Sequence, residues 1–224
     1  MRRLTSAAGG VVIPRRGLLG LAAAGLLWPG RPAMAAPGGV TFRVFRKGQD
    51  IGTHQVTLTP SPDGFAVDVK IELAVKLAMI TVFYYRQTAR DIWRDGKLVS
   101  ADYRTDDDGK VSVLKVRESK GLLRVDGSAG SADAPLGTMT DLAFWNESIV
   151  DAPRVVDSQT GEVGVMRTGG RASERITVAG REVDAVRYSV SGSEDRRGTV
   201  WYVDRQWVKA SFVTRGEALE YVLA

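Results

Sequence analysis

Thirteen consecutive residues, Phe65-Ala-Val-Asp-Val-Lys-Ile-Glu-Leu-Ala-Val-Lys-Leu77, carry an apolar side chain at every odd position. The even positions read Ala, Asp, Lys, Glu, Ala, Lys. Period two is the geometry of a β-strand with one buried face and one wet face. At about 3.3 Å per residue the strand spans roughly 40 Å, so it must bend or twist strongly. A long apolar stripe of this kind has to be covered by further strands.

The rest of the chain supplies them. Asp95-Gly96, Asp108-Gly109, Lys120-Gly121 and Asp126-Gly127 punctuate strand-like runs, and Asp-Gly is a strong hairpin signal. Thr160-Gly161, Gly169-Gly170, Ala179-Gly180, Arg197-Gly198 and Arg215-Gly216 continue the series as turns. Short strands between regular turns, without βαβ alternation, predict a mainly all-β fold. The expectation is a curved antiparallel sheet or half-open β-barrel of about eleven strands. One short helix is expected over 140–150. Thr138 to Asp141 resembles a capping box, Leu142, Trp145 and Ile149 follow at helical spacing, and Pro153 ends it. The Gly/Ala/Ser-rich stretch 127–137 is read as an internal loop, giving one antiparallel β domain over 36–224.

Residues 1–35 read as a cleaved signal peptide. Gly17 to Trp28 is apolar throughout but falls short of the roughly 20 residues that a spanning helix needs. Arginines precede it, and Ala33-Met34-Ala35 supplies a small-x-small cleavage site, with Ala36 as the mature start. Arg15-Arg16-Gly17-Leu18-Leu19 resembles a twin-arginine signal in which Pro14 replaces the usual Ser/Thr and Gly20 the usual Lys. The expected location is periplasmic or secreted, with no membrane span after cleavage. Cleavage also changes the charge. It removes five of the 31 basic residues and none of the 26 acidic ones, leaving 26 of each. The basic balance of the whole chain therefore gives no argument for nucleic acid as a partner. There is no cysteine, so the fold rests on its own core without disulfides, and a thiol nucleophile or iron–sulfur cluster is excluded. With a single histidine, no metal or cofactor site is expected.

Several short motifs occur in a fixed order. They are Gly48-Gln-Asp-Ile-Gly-Thr-His54, Trp93-Arg-Asp-Gly-Lys-Leu98, Thr105-Asp-Asp-Asp-Gly109, Phe144-Trp-Asn146, Gln159-Thr-Gly-Glu162 and Val200-Trp-Tyr202. The ordered set resembles an uncharacterised family of exported bacterial proteins, a domain of unknown function, over roughly 41–224. The resemblance implies an envelope location and no established reaction. Members of that family often carry a Cys beside the position of Lys97 and another ahead of the Phe-Trp-Asn motif, a pair absent here. More loosely, the pattern is similar to the half-barrels of periplasmic lipoprotein carriers, a likeness of fold only.

The residues that could carry chemistry are few. His54 lies on the apolar side of its strand with Val56 and Leu58, as a structural residue or as a lone base or pH-responsive ligand. Asp106-Asp107-Asp108-Gly109 begins like a calcium loop, but Lys115 stands where the loop needs Glu, so an acidic hairpin tip is the better reading. Trp93, Trp145, Trp201 and Trp207, with Phe83, Tyr84, Tyr85 and Phe144, pack a core or line an apolar cavity. The candidate ligand-binding set is His54, Trp93, Trp145, Asn146, Trp201 and Tyr202. No Gly-x-Ser-x-Gly elbow occurs. The leading expectation is non-enzymatic binding of a lipid or other apolar small molecule, or of an envelope protein. The alternatives are a cofactor-free hydrolase acting on envelope polymer through carboxylates, and an assembly factor that uses its sheet edges.

Overall fold

The computed structural model describes residues 38–192 and 196–224. The signal-peptide residues Arg15, Arg16, Ala33 and Ala35 lie outside the described residues. In chain order the strands begin with β1 (Val40–Arg46), β2 (Gln49–Ser61), β3 (Gly64–Leu77), β4 (Ile80–Arg94), β5 (Lys97–Asp107), β6 (Lys110–Ser119), β7 (Leu122–Gly127) and β8 (Gly130–Pro135). Three two-residue strands follow: β9 (Met139–Thr140), β10 (Val155–Val156) and β11 (Val163–Gly164). The chain ends with β12 (Arg167–Val178), β13 (Arg181–Ser191), β14 (Arg197–Val203), β15 (Gln206–Thr214) and β16 (Glu217–Leu223).

Thirteen strands form one antiparallel sheet in the order β12-β13-β14-β15-β16-β1-β2-β3-β4-β5-β6-β7-β8. β1 is its only non-consecutive junction, joining the C-terminal meander through β16 to the N-terminal one through β2. The all-β, antiparallel expectation holds, but eleven strands was too few. β9, β10 and β11 make a separate three-stranded sheet. The large sheet stays open, because β8 and β12 remain unpaired edges. Both are blunted: β8 is short and ends in Pro135, while β12 is broken by a bulge between Gly169 and Ala172.

β3 keeps its expected alternation as far as Leu73, while at its far end Val75 is half-buried and Leu77 exposed. Phe65, Val67, Val69, Ile71 and Leu73 are buried, while Lys70 and Glu72 are exposed. Outward positions pair across strands, as in Asp68–Arg90 and Asp102–Arg117. Gly52 is required where it stands. Its φ is +142°, and a Cβ there would lie 1.9 Å from the Glu72 carbonyl oxygen of β3.

The expected helix does not form. Residues 143–151 are two 3₁₀ turns, Ala143–Trp145 and Glu147–Asp151, separated by Asn146 in an extended conformation. The capping box fails because its members are used elsewhere. Met139 and Thr140 pair with β10, and Asp141 accepts a hydrogen bond from the Ser158 amide. The helical spacing marked packing positions, since Trp145 and Ile149 are both buried.

The segment from Thr138 to Gly161 lies in the concavity of the sheet. It touches β4 and β5 through Gln87–Ser158 and Tyr103–Thr140, and β7 through the close approach of Gly127 and Gly161. It touches β13 and β14 on the far side, where Tyr188 Oη donates to Glu147 and Tyr202 Oη to the Phe144 carbonyl. Strands so distant in sheet order can meet one short segment only if the sheet curls around it.

Candidate functional site

The curled interior brings together most of the residues singled out from sequence, and it packs them. Trp145 stands edge-on to Trp93 at 5.2 Å and to Phe65 at 5.5 Å between ring centroids, and both indoles are buried. Asn146 serves the backbone: its Oδ1 accepts from the Ser148 amide at 3.1 Å and caps the second 3₁₀ turn. Tyr202 is buried and bound to the Phe144 carbonyl at 2.9 Å. Trp201 points to the opposite face of the sheet, as alternation demands. There it joins Ile176, Ala185 and Val208, donates to Glu174 at 3.0 Å and lies under the Lys209 ammonium. The six candidates therefore do not share one site.

His54 is 3% exposed and edge-on to Trp207 and Tyr221. Neither ring nitrogen has a hydrogen-bond partner. Burial lowers its pKa to about 3, because the imidazolium would sit without water or counter-ion. A histidine so placed is neutral at any ordinary pH and cannot serve as a base for a substrate in water.

The interior holds a polar network that sequence reading missed. The Tyr103 hydroxyl donates to Asp91 Oδ2 at 3.2 Å and meets Thr140 Oγ1 at 2.7 Å. Burial pushes the Asp91 pKa up to about 7. Tyr103, the nearby Trp93 N–H and Thr140 pull the other way, although Trp93 closes no full hydrogen bond. Nearby, Gln87 Nε2 donates to Thr105 and Ser158, and the Tyr85 hydroxyl donates to Gln87 Oε1. These bonds pin residues 140–158 to β4 and β5.

One carboxylate pair lies at this interior segment. Asp141 and Asp157 both accept from Arg196 Nη1, at 3.1 and 2.6 Å. Their remaining oxygens are committed as well: Asp141 Oδ1 to the Ser158 amide, Asp157 Oδ1 to the amides of Gln159 and Thr160. Burial, then the neighbouring Asp157, raise the Asp141 pKa to about 6, while Arg196 opposes them. Each of the four oxygens accepts at least one hydrogen bond from the protein, so the pair closes a turn around Arg196.

The exposed apolar surface lies elsewhere. At the apex of the β3–β4 hairpin Leu77 is 67% exposed, Met79 94% and Ile80 70%, and Val82 is exposed beside them. The other exposed large apolar side chains, Val111, Val113, Leu122, Val165 and Val222, are dispersed over four other segments. β2 pairs with β3 only as far as Leu73, and β5 pairs with β4 only from Tyr85 onward. Residues 74–84 therefore form strand pairs only with one another, anchored at their base by Val75 against the core and by the Asp108 amide on the Tyr84 carbonyl, and the ribbon extends about 15 Å beyond the sheet. Two open depressions of about 340 and 570 Å³ lie on the outward face, around Gln55, Lys70 and Thr88 and around Arg167, Ser189 and Arg197. Neither includes any of the six candidate ligand-binding residues.

Residues 42–224 match the family described as a domain of unknown function, DUF6134. The chain belongs to that family. The resemblance read from the ordered motifs is thereby borne out. No curated protein matches the sequence. Among solved structures the fold is similar to a beta-barrel-like protein of domain of unknown function DUF1849 from Brucella abortus. The TM-score is 0.58 at 10% identity, over 85% of this chain and 97% of that one. At that identity the likeness establishes a barrel-like fold shared with the DUF6134 chain and nothing of activity.

Proposed function

We propose that this is an exported, non-enzymatic binding protein of the cell envelope that contacts an apolar or amphipathic component through the projecting β3–β4 hairpin. The observation that carries this reading is the concentration of exposed apolar side chains on residues 77–82, on a ribbon with no neighbouring strand. An isolated two-stranded hairpin is marginal in water, and an apolar one is costlier still, so such a feature implies something that covers it. The interior contributes rigidity. Its aromatic side chains are packed and its carboxylates are tied into turns and cross-links, which disfavours the hydrolase alternative.

The test is capture by envelope extract. Detergent-solubilised envelope should bind the wild-type protein saturably, and the double variant Met79→Gln/Ile80→Thr at least tenfold more weakly. Equal binding by both proteins, or release of soluble fragments from envelope polymer at a rate unaffected by the double variant, would overturn the reading. Export is tested separately. The periplasmic form should begin at Ala36, and changing Arg15 and Arg16 to Lys should block export by the twin-arginine route. A soluble form that keeps Leu18 to Leu27 would contradict the signal peptide.

A further inference from the structure

We infer that the partner of the β3–β4 hairpin is a lipid surface, entered by the hairpin apex at the boundary between headgroups and acyl chains. The inference rests on the binding reading above and narrows it to one class of partner. Three observations support lipid over a protein groove. First, apolar side chains surround the turn, and the one cation beside it, Lys76 paired with Thr81 on the other face of the ribbon, has a stem long enough to carry its ammonium back to the headgroups. Leu77 pairs with Ile80, Met79 stands at the turn, and Val82 falls at the register shift opposite Val75 and Lys76. The headgroup–acyl boundary accepts this mixture, because a long basic side chain keeps its ammonium at the polar side while the apolar residues enter.

Second, the residues behind the apex are layered. Phe83 and Tyr84 come next along β4, and cations lie over their rings. The Arg215 guanidinium is 6.0 Å from the Phe83 ring and the Arg86 guanidinium 5.2 Å from Tyr84. Apolar tip, aromatic girdle and then cation is the order in which side chains partition across a membrane interface. Third, the projecting length suits a shallow site. The ribbon extends about 15 Å beyond the sheet, against the roughly 5–10 Å by which interfacial elements are buried. The flanks of residues 74–84 bear backbone groups without strand partners, which hydrocarbon would not accept, so only the apex enters.

The surrounding charge predicts how binding depends on lipid and salt. Asp107 pairs with Arg215, Asp106 stands opposite Arg86 in β5 and Asp108 lies in the β5–β6 turn, so three acids offset the three cations near the tip, Lys76, Arg86 and Arg215. Attraction to anionic headgroups should therefore be weak. The apolar apex carries the contact.

Because the chain has no cysteine, Met79→Cys provides a unique attachment point for an environment-sensitive fluorophore, and Glu118→Cys a control at the other end of the strands. On addition of phosphatidylcholine vesicles the label at 79 should shift to the blue and brighten, while the label at 118 should not respond. Unlabelled wild type should partition onto these vesicles and onto vesicles containing phosphatidylglycerol within about threefold of each other, with little change on raising salt. Met79→Gln/Ile80→Thr should lose at least tenfold, since the apolar area it would bury is removed while both positions are too exposed for folding to depend on them. Vesicles that leave wild type unbound and the label silent would overturn the inference. If envelope extract is still bound through the tip in that case, the partner is a protein and the broader binding reading stands. Binding that needs anionic lipid, disappears in salt and survives the double variant would overturn both.

Discussion

Replacing His54 by Phe should protect the fold against acid, by an amount that the structure sets. The imidazole is buried between Trp207 and Tyr221 with no partner for either nitrogen, and its pKa falls from 6.5 to about 3. Below pH 6.5 the unfolded chain takes up a proton at this site and the folded chain does not. The unfolded state then binds more protons, so stability is lost as pH falls from 6.5 towards 3. Each unit costs about 1.4 kcal/mol, or about 3 kcal/mol at pH 4.5. Phenylalanine is apolar and similar in shape, and any packing penalty it brings is independent of pH. Urea unfolding of both proteins from pH 7.5 to 4.5 should show the stability difference moving in favour of the variant by this slope. Taking the difference cancels every other titrating group. Because His54 is the only histidine, its ring proton signal gives a direct check and should not titrate between pH 5 and 8. A stability difference that stays constant with pH would refute the reasoning, since it would mean that water or an acid reaches the ring.

Asp91 should behave in the opposite sense. Its folded pKa is raised from 3.8 to about 7, so the native carboxylate costs stability above pH 7 and that cost is relieved as pH falls towards 4. Asp91→Asn should therefore gain on wild type by up to about 4 kcal/mol at pH 8 and keep no such advantage at pH 4, as read by urea unfolding. Ile71→Ala, on the buried face of β3, should cost about 2–5 kcal/mol, whereas Lys70→Ala on the outward face should cost within about 0.5 kcal/mol. Equal costs at 70 and 71, measured by thermal or urea unfolding, would mean that β3 does not have one wet face.

β3 was legible because it is half-buried: one residue type faces the core and another faces water, so burial is written into the spelling. Turns were legible where the backbone needs positive φ. Asp95-Gly96, Asp108-Gly109, Lys120-Gly121, Ala179-Gly180 and Arg215-Gly216 all have positive φ at both residues. Gly198 misled, because it lies inside β14, where a Cβ would meet the Phe212 ring at 2.4 Å. Gly169-Gly170 likewise reads as a turn but sits in β12, at a bulge. The turn at Ala78-Met79 was invisible, since it contains neither Gly nor Asn, and it is the apex that matters most. The interior network was out of reach for a different reason. Asp91 and Tyr103 are neighbours across the β4–β5 ladder, but Thr140 comes from the segment held in the concavity, and only the curl of the sheet brings it to them. Periodicity also suggested a helix over 140–150, yet long-range hydrogen bonds from Asp141 and strand pairing by Thr140 overrode that local tendency.

Hydrogen exchange of the native protein, with and without solubilised envelope extract, separates an interior closed by its own chain from one that opens to a ligand. Amides of residues 138–161, such as Asp141, Ile149 and Gly161, are bonded within the segment and should exchange slowly in both samples. Extract should instead slow exchange across residues 74–84, at the hairpin. Faster exchange in 138–161 on adding extract, with 74–84 unchanged, would show that the segment leaves the concavity to admit a ligand and would contradict binding at the hairpin.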